Sequence, residues 1–269
     1  MGISKSAYYY KPKDRPKFNL YLSDRINDIA TEFPSYGYRR ITAQLKRDGF
    51  HVNHKRILRI MKSQNLLVSP RRAYKATTNS NHSMTKYPNL IKNLVLTRTD
   101  MVWNADITYI RIATGFVYLA ALIDGFSRKI VGYGLGKSLS PVLTKTALLD
   151  AISKRDVSDL IHHSDQGLQY CSADYVKILK DNGIEISMSV KANPYDNAKI
   201  ESFFKTLKVE EVYMFEYKTF ADVASRITYF IEEVYNKKRL HSSLGYMPPE
   251  EFEYIFTNNR IKTHQLALA

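Results

Sequence analysis

The chain has 269 residues, enough for two domains on the usual scale of about 150 residues each. Its 40 Lys and Arg outnumber 26 Asp and Glu for a net charge of +14, a surplus that favours a polyanionic partner because each cation set against a phosphate releases condensed counterions. The single cysteine, Cys171, excludes an intrachain disulfide and a cysteine-rich zinc cage, and the longest apolar run, Phe116 to Ile123, is too short to span a bilayer. A cytoplasmic, reducing location and no membrane partner are therefore expected, with no apolar signal-like segment at the N-terminus.

Residues 1–20 read as a basic, tyrosine-rich arm. A small all-α domain is expected over 21–68. Ser23 is placed to cap a first helix with Ile26, Ile29, Ala30 and Phe33 on one stripe, broken by Pro34 and Gly37. A second helix runs from Arg39 to Asp48, with Ile41 and Leu45 inward and Gly49 as its stop. Asn53 caps a third that reaches Asn65, with Ile57, Leu58 and Met61 as its apolar side. Lys55, Arg59 and Lys62 recur at i, i+4 and i+7 on another side of it, and Arg56 widens that stripe. Three short helices with a basic last one suit a helix-turn-helix, whose final helix can enter a major groove; a helical bundle with a solvated basic face is the other reading. Residues 69–97 form a basic linker, whose stretch Ser69 to Asn89 carries four Lys or Arg and no acid.

From 98 to 215 the pattern becomes α/β. Met101 to Ile112, Phe116 to Ile123 and Lys129 to Leu135 alternate as strands joined by the turns at Gly115 and Gly125, which makes an antiparallel meander. Pro141 opens a helix after Ser140. A strand (Leu160 to His163), a helix (Ala173 to Asn182), a strand (Ile184 to Val190) and a long helix (Asn197 to Tyr213) follow, giving a mixed sheet with flanking helices. Residues 216–269 form a helical extension that includes an amphipathic helix from Phe220 to Tyr235.

Three carboxylates stand out by context. Asp106 lies mid-strand, an unfavourable place for Asp; Asp165 follows the short fourth strand, where Gly167 permits a tight turn; Glu201 lies in the long helix. A strand centre, a strand end and a helix flank can converge at one sheet edge. Convergent carboxylates repel, and hard divalent cations with oxygen ligands relieve that repulsion. Singly, each is better explained as a solvated or turn residue, as Asp124 before Gly125 shows. Lys208, seven residues beyond Glu201, shares its helix face at about 10.5 Å along the axis, where a cation could meet a phosphate. A surface lysine, or Lys205 paired with Glu201, explains the same spacing. His162 and His163 point to opposite faces of a strand, so they cannot readily share one ion; one is assigned to packing and His163 to the margin of the site. The run Lys237, Lys238 and Arg239 fits solvation and phosphate contact equally.

Fifty-eight residues separate Asp106 from Asp165, and 35 separate Asp165 from Glu201. With the stretches Trp103-Asn104-Ala105-Asp106-Ile107-Thr108-Tyr109, His163-Ser164-Asp165-Gln166-Gly167, Tyr195-Asp196-Asn197-Ala198 and Glu201 to Lys208, this resembles bacterial insertion-sequence transposases whose catalytic protein is the second reading-frame (OrfB-type) product. Their core is similar to that of retroviral integrases. Tyr235-Asn236 through Arg239 to Pro249-Glu250 resembles their C-terminal signature, and Gly37 to Ile41 with Asn53 to Arg56 their helix-turn-helix. The resemblance implies a ribonuclease-H-like five-stranded core in which Asp106, Asp165 and Glu201 bind two Mg²⁺ ions, with Mn²⁺ as a substitute. Lys208 would contact DNA, and Lys205, Lys191 and Asn193 are further DNA contacts on this reading, as are Lys55, Arg56, Arg59 and Lys62 in the helix-turn-helix. The implied reaction is cleavage at an element's end followed by strand transfer of the 3′-hydroxyl. The implied partners are terminal inverted repeats and target DNA, a homo-oligomer assembled on DNA, and a segment from an upstream reading frame. The loop Lys191-Ala192-Asn193-Pro194 lacks the glycine common in such relatives. A structure-selective nuclease on the same fold, and a DNA-binding regulator derived from a transposase, are the rival readings.

Overall fold

The computed structural model describes residues 8–9, 16–68, 84–189 and 197–267, with side chains excepted at 16–19 and 259–267. Expectations for most of the arm, for residues 69–83 of the linker, and for Lys191 and Asn193 therefore lie outside the described residues. The chain divides into two compact units, Met1–Pro70 and Arg71–Ala269.

The first unit is a three-helix bundle of α1 (Pro16–Glu32), α2 (Tyr38–Arg47) and α3 (His54–Ser63). Leu22, Ile26, Ile29, Ile41, Leu45, Ile57 and Met61 close its core, and each such aliphatic side chain contributes about 1.5–3 kcal/mol on burial. Phe33 stacks on Tyr36 with ring centroids 4.4 Å apart. The first helix starts earlier than Ser23 suggested. It begins at Pro16, and Ser23 instead accepts a hydrogen bond from the Gln64 amide within the bundle. The capping of α3 is as expected: the Asn53 side chain accepts from Lys55 N at 2.9 Å. Leu58 is a correction, since it is 36% exposed while Ile57 and Met61, one turn apart, fill the interior.

In the second unit, β1 (Val102–Ile112), β2 (Gly115–Asp124), β3 (Ile130–Gly136), β4 (Ile161–Ser164) and β5 (Glu185–Met188) form one sheet in the order β3-β2-β1-β4-β5. The first three are an antiparallel meander, and β4 and β5 are added parallel to β1. Parallel strands need crossovers. These are α4 (Pro141–Lys154) between β3 and β4, and a short α5 (Leu168–Cys171) with α6 (Ala173–Asp181) between β4 and β5. No signal in the sequence marked α5, because four residues carry no periodicity.

Both faces of the sheet are covered. Trp103, Ala105, Ala120 and Leu122 pack with Leu143, Ala147, Tyr170, Tyr175 and Leu179 on one side. Ile110, Leu119, Ala121 and Ile123 meet Ile200, Phe203 and Leu207 of α7 (Ala198–Glu210), and Val223, Ile227 and Phe230, on the other. Gly132 lets α4 lie against β3, since a Cβ there would stand 2.4 Å from the Ala147 carbonyl oxygen.

The C-terminal extension is bolted to this sheet. Helix α8 (Phe220–Tyr229) starts with a Thr219–Asp222 capping box and continues as a π-helical turn over Phe230–Tyr235. Just beyond, Asn236 exchanges two 3.0 Å hydrogen bonds with the backbone of Ile130 in β3. Helix α9 (Pro249–Ala267) presents Glu253 to Arg155, with both oxygens bonded at 2.8 Å, and Arg155 also holds Asp100.

Candidate active site

The parallel pairing of β4 with β1 builds the site. Ala105 is opposite Ser164, so the next residues, Asp106 and Asp165, emerge side by side from neighbouring strands. Asp106 is mid-strand in β1, paired with Ala121 of β2, in the interior of the sheet. Its Oδ1 accepts the Ile107 N–H at 2.7 Å. Burial, reinforced by repulsion from Asp165 and then Glu201, pushes its carboxyl up to about 8; the Ile107 N–H and the Lys208 charge pull the other way without prevailing.

Asp165 is half-buried, and its Oδ1 accepts the Gly167 N–H at 2.9 Å. Gly167 is needed here for a different reason from the one its turn suggested. Its φ is −70°, open to any residue, but a Cβ would lie 2.9 Å from Asp165 Oδ1. The glycine leaves room for the carboxylate.

Glu201 occupies the first turn of α7, exposed on its outer side, with burial on the other raising its carboxyl. The start of α7 is tied to β1: Asn197 Nδ2 donates to the Ala105 carbonyl at 3.1 Å, and Asn104 Nδ2 reaches Asn197 Oδ1 at 3.5 Å. These two asparagines were legible only as parts of motifs. Among the described residues, no three His, Cys, Asp or Glu side chains stand near enough together to hold a metal ion. The trio is electrostatically coupled around Asp106 without closing into a cage.

Lys208 is not a surface lysine. It is 8% exposed, its Nζ lies 4.9 Å from the centroid of the Tyr109 ring, and burial lowers its pKa against the pull of Asp106. Lys205, by contrast, is exposed and forms no ion pair with Glu201 among the described residues. In α3, Lys55, Arg59 and Lys62 are exposed and Arg56 is half-buried.

Both histidines are structural. The fully buried His162 bonds Tyr175 Oη at 2.9 Å and is held neutral, its pKa pushed down to about 3 chiefly by burial. The ring nitrogens of His163 are engaged by Ser187 Oγ at 2.8 Å and Ser189 Oγ at 3.0 Å, which leaves it no part in an ion site. Asp124 is also more than a turn residue. Fully buried, it accepts backbone N–H groups from Asp100, Phe126 and Ser127. Arg239 is 3% exposed and bidentate to Glu210 at 2.7 Å, so it serves neither solvation nor phosphate contact.

The integrase core domain family matches residues 97–194 and, in a second description, 182–249; an HTH-like domain matches residues 18–74. The transposase for insertion sequence element IS904 of Lactococcus lactis is 40% identical over 86% of this chain and 93% of its own length. The 31 kDa uncharacterized protein of insertion element IS600 from Shigella sonnei is 38% identical over 99% of this chain and 98% of its own. This chain belongs to the insertion-sequence transposases. The sheet of the transposase is also similar to the HTLV-2 integrase catalytic core domain in complex with magnesium (TM-score 0.44, 14% identity, 58% of this chain and 97% of that one). The transposase is thus a DNA-binding enzyme with a ribonuclease-H-like integrase core and an HTH-like unit at its N-terminal side. None of the helices searched among its described residues is long and apolar enough to cross a membrane.

Proposed function

We propose that the transposase cleaves DNA at insertion-sequence ends and transfers the freed 3′-hydroxyl into target DNA at a site made by Asp106, Asp165 and Glu201. One observation carries this reading. The register that sets Ala105 opposite Ser164 brings Asp106 and Asp165 out side by side, where burial and the neighbouring carboxylates raise the Asp106 carboxyl to about 8, an arrangement suited to capturing positive charge. The donors are all carboxylate oxygens, the set that hard cations prefer, so their chemistry suits divalent ions, Mg²⁺ or Mn²⁺, two per site, once the three side chains draw closer together than they stand here. Bound there, such ions would supply charge for an attacking and a leaving oxygen at phosphorus. In the transfer the 3′-hydroxyl oxygen forms a bond to phosphorus as the target's P–O bond breaks and its 3′-oxygen departs.

The remaining residues bind and orient. Lys208, held by Tyr109 and α7, offers a fixed cation beside the carboxylates for a DNA phosphate, with Lys205 exposed one turn earlier on the same helix. The basic side of α3, with Lys55, Arg56, Arg59 and Lys62, is the element for terminal-repeat DNA, and the working form is a homo-oligomer assembled on paired ends.

A strand-transfer assay with paired element ends, a target duplex and Mg²⁺ tests the proposal. Wild type should yield joined products. Asp106→Asn, Asp165→Asn and Glu201→Gln should each lose joining by at least about a thousandfold while DNA binding persists. Hydrolysis by wild type with no joined product would instead favour a structure-selective nuclease.

A further inference from the structure

Asn197 stands at the N-cap of α7, where an Asn side chain ordinarily accepts a hydrogen bond from the first turn of its own helix. Here it makes no such bond. Its amide reaches across to β1 and donates to the Ala105 carbonyl at 3.1 Å, while its own main-chain carbonyl accepts the Glu201 N–H at 3.2 Å. One residue, only 6% exposed, thus grips both the backbone just before Asp106 and the backbone of Glu201.

Elsewhere α7 sits on the sheet through apolar contacts, with Ile200, Phe203 and Leu207 against Ile110, Leu119 and Ala121. Such burial holds a helix down without direction, whereas a hydrogen bond fixes distance and angle. Asn197 and Glu201 are one turn apart on one face of α7, about 6 Å along the axis, so a tilt of about 10° at the tie would carry Glu201 by about 1 Å. Asn104 belongs to the same joint. It lies two residues before Asp106 on the same face of β1, fully buried, and its Nδ2 reaches Asn197 Oδ1 at 3.5 Å. Its Oδ1 has no hydrogen-bond partner among the described residues, a cost that a side chain kept for stability alone would not carry.

We propose that Asn197 is a positioning residue for Glu201: through the Ala105 carbonyl it fixes the start of α7 against the strand that carries Asp106, and so sets where the Glu201 carboxylate can join the Asp106–Asp165 pair on a divalent cation. The inference rests on the metal-binding reading of the three carboxylates. Their side chains must still draw together to hold an ion, and the tie confines that approach to side-chain rotation about a fixed helix start.

The test is Mn²⁺ binding by the full chain without DNA, read by electron paramagnetic resonance of free Mn²⁺, in wild type, Asn197→Ser, Glu201→Gln and the double variant. Serine caps helices as well as asparagine does, so α7 keeps a capping residue, but its hydroxyl falls one bond short of the Ala105 carbonyl. Asn197→Ser should therefore bind Mn²⁺ about tenfold more weakly in a protein that still unfolds cooperatively. Glu201→Gln should lose at least as much. The double variant should stay within about twofold of Glu201→Gln, because a residue that acts through Glu201 then has nothing left to position. A loss that adds in full to that of Glu201→Gln would give Asn197 a general structural role and overturn the proposal, as would near-wild-type affinity in Asn197→Ser. If Glu201→Gln binds Mn²⁺ as wild type does, the metal reading of Glu201 falls, and the inference with it. Asn197→Thr, another capping residue with too short a reach, should repeat the pattern, so the failure of one variant to fold leaves the test intact.

Discussion

The Lys208 ammonium lies 4.9 Å from the centroid of the Tyr109 ring, buried between helix α7 and strand β1 beside Asp106. The ring and the carboxylate together hold the cation in one place rather than letting it sweep the surface. Lys208→Met keeps the aliphatic stem and removes the charge. Salt-titrated binding of element-end DNA should then lose about one unit of slope, the signature of one phosphate contact. An unchanged slope would assign Lys208 to packing alone.

Asp106 makes the metal-free protein sensitive to pH in the direction opposite to an ordinary salt-bridged Asp. Folded, it keeps its proton to about pH 8, whereas an unperturbed Asp releases it near 3.8. Between those values the folded state binds more protons, so its contribution to stability is complete below the lower value and is lost as pH rises towards 8. Asp106→Asn removes this dependence. In EDTA at pH 8.5 the variant should melt above wild type, and the gap should close near pH 4. Calorimetry from pH 4 to 9 measures it; a gap that does not vary with pH would refute the raised carboxyl.

Gly167→Ala separates stability from activity. The backbone angle suits alanine, and such a change at a compatible position stabilises by about 0.4–1 kcal/mol through the unfolded chain. The added methyl would, however, sit 2.9 Å from Asp165 Oδ1 and displace that carboxylate. Strand transfer should fall about tenfold in a protein that melts no lower than wild type, since small displacements of reacting groups are costly. Full activity would show that the carboxylate yields freely.

Arg239 and Glu210 anchor the last turn of α7 through two 2.7 Å bonds that are nearly closed to solvent. Removing one partner strands a buried charge, so Arg239→Ala should cost about 3–5 kcal/mol in urea unfolding. Arg239→Met combined with Glu210→Leu should recover most of that loss. A double variant no more stable than the single one would contradict the buried-pair account.

The elements of this chain were largely legible because they are local. Alternation marked β1, β2 and β3, the 3.6-residue stripe marked α2 and α3, and Pro141 marked the start of α4. The misses share one cause, which is that contacts distant in sequence override local signals. Ser23 looked like a cap until Pro16 and the rest of the bundle extended α1 past it. Leu58 looked inward until Ile57 and Met61 took the interior. Arg239 fitted solvation and phosphate contact equally because its partner, Glu210, lies 29 residues away.

The carboxylates mark the boundary between the two kinds of knowledge. Their identities, their spacing and their places on a strand, a strand end and a helix could be read directly, since each depends on its neighbours along the chain. Which of them would be buried and driven towards pH 8 could not. That follows from β4 pairing with β1 in the register that sets Ala105 opposite Ser164, so that Asp165 emerges beside Asp106, and from two asparagines that tie the start of α7 to the same strand. Burial and charge repulsion are sums over everything that surrounds a group, and those surroundings exist only once strands some 60 residues apart have met in the sheet.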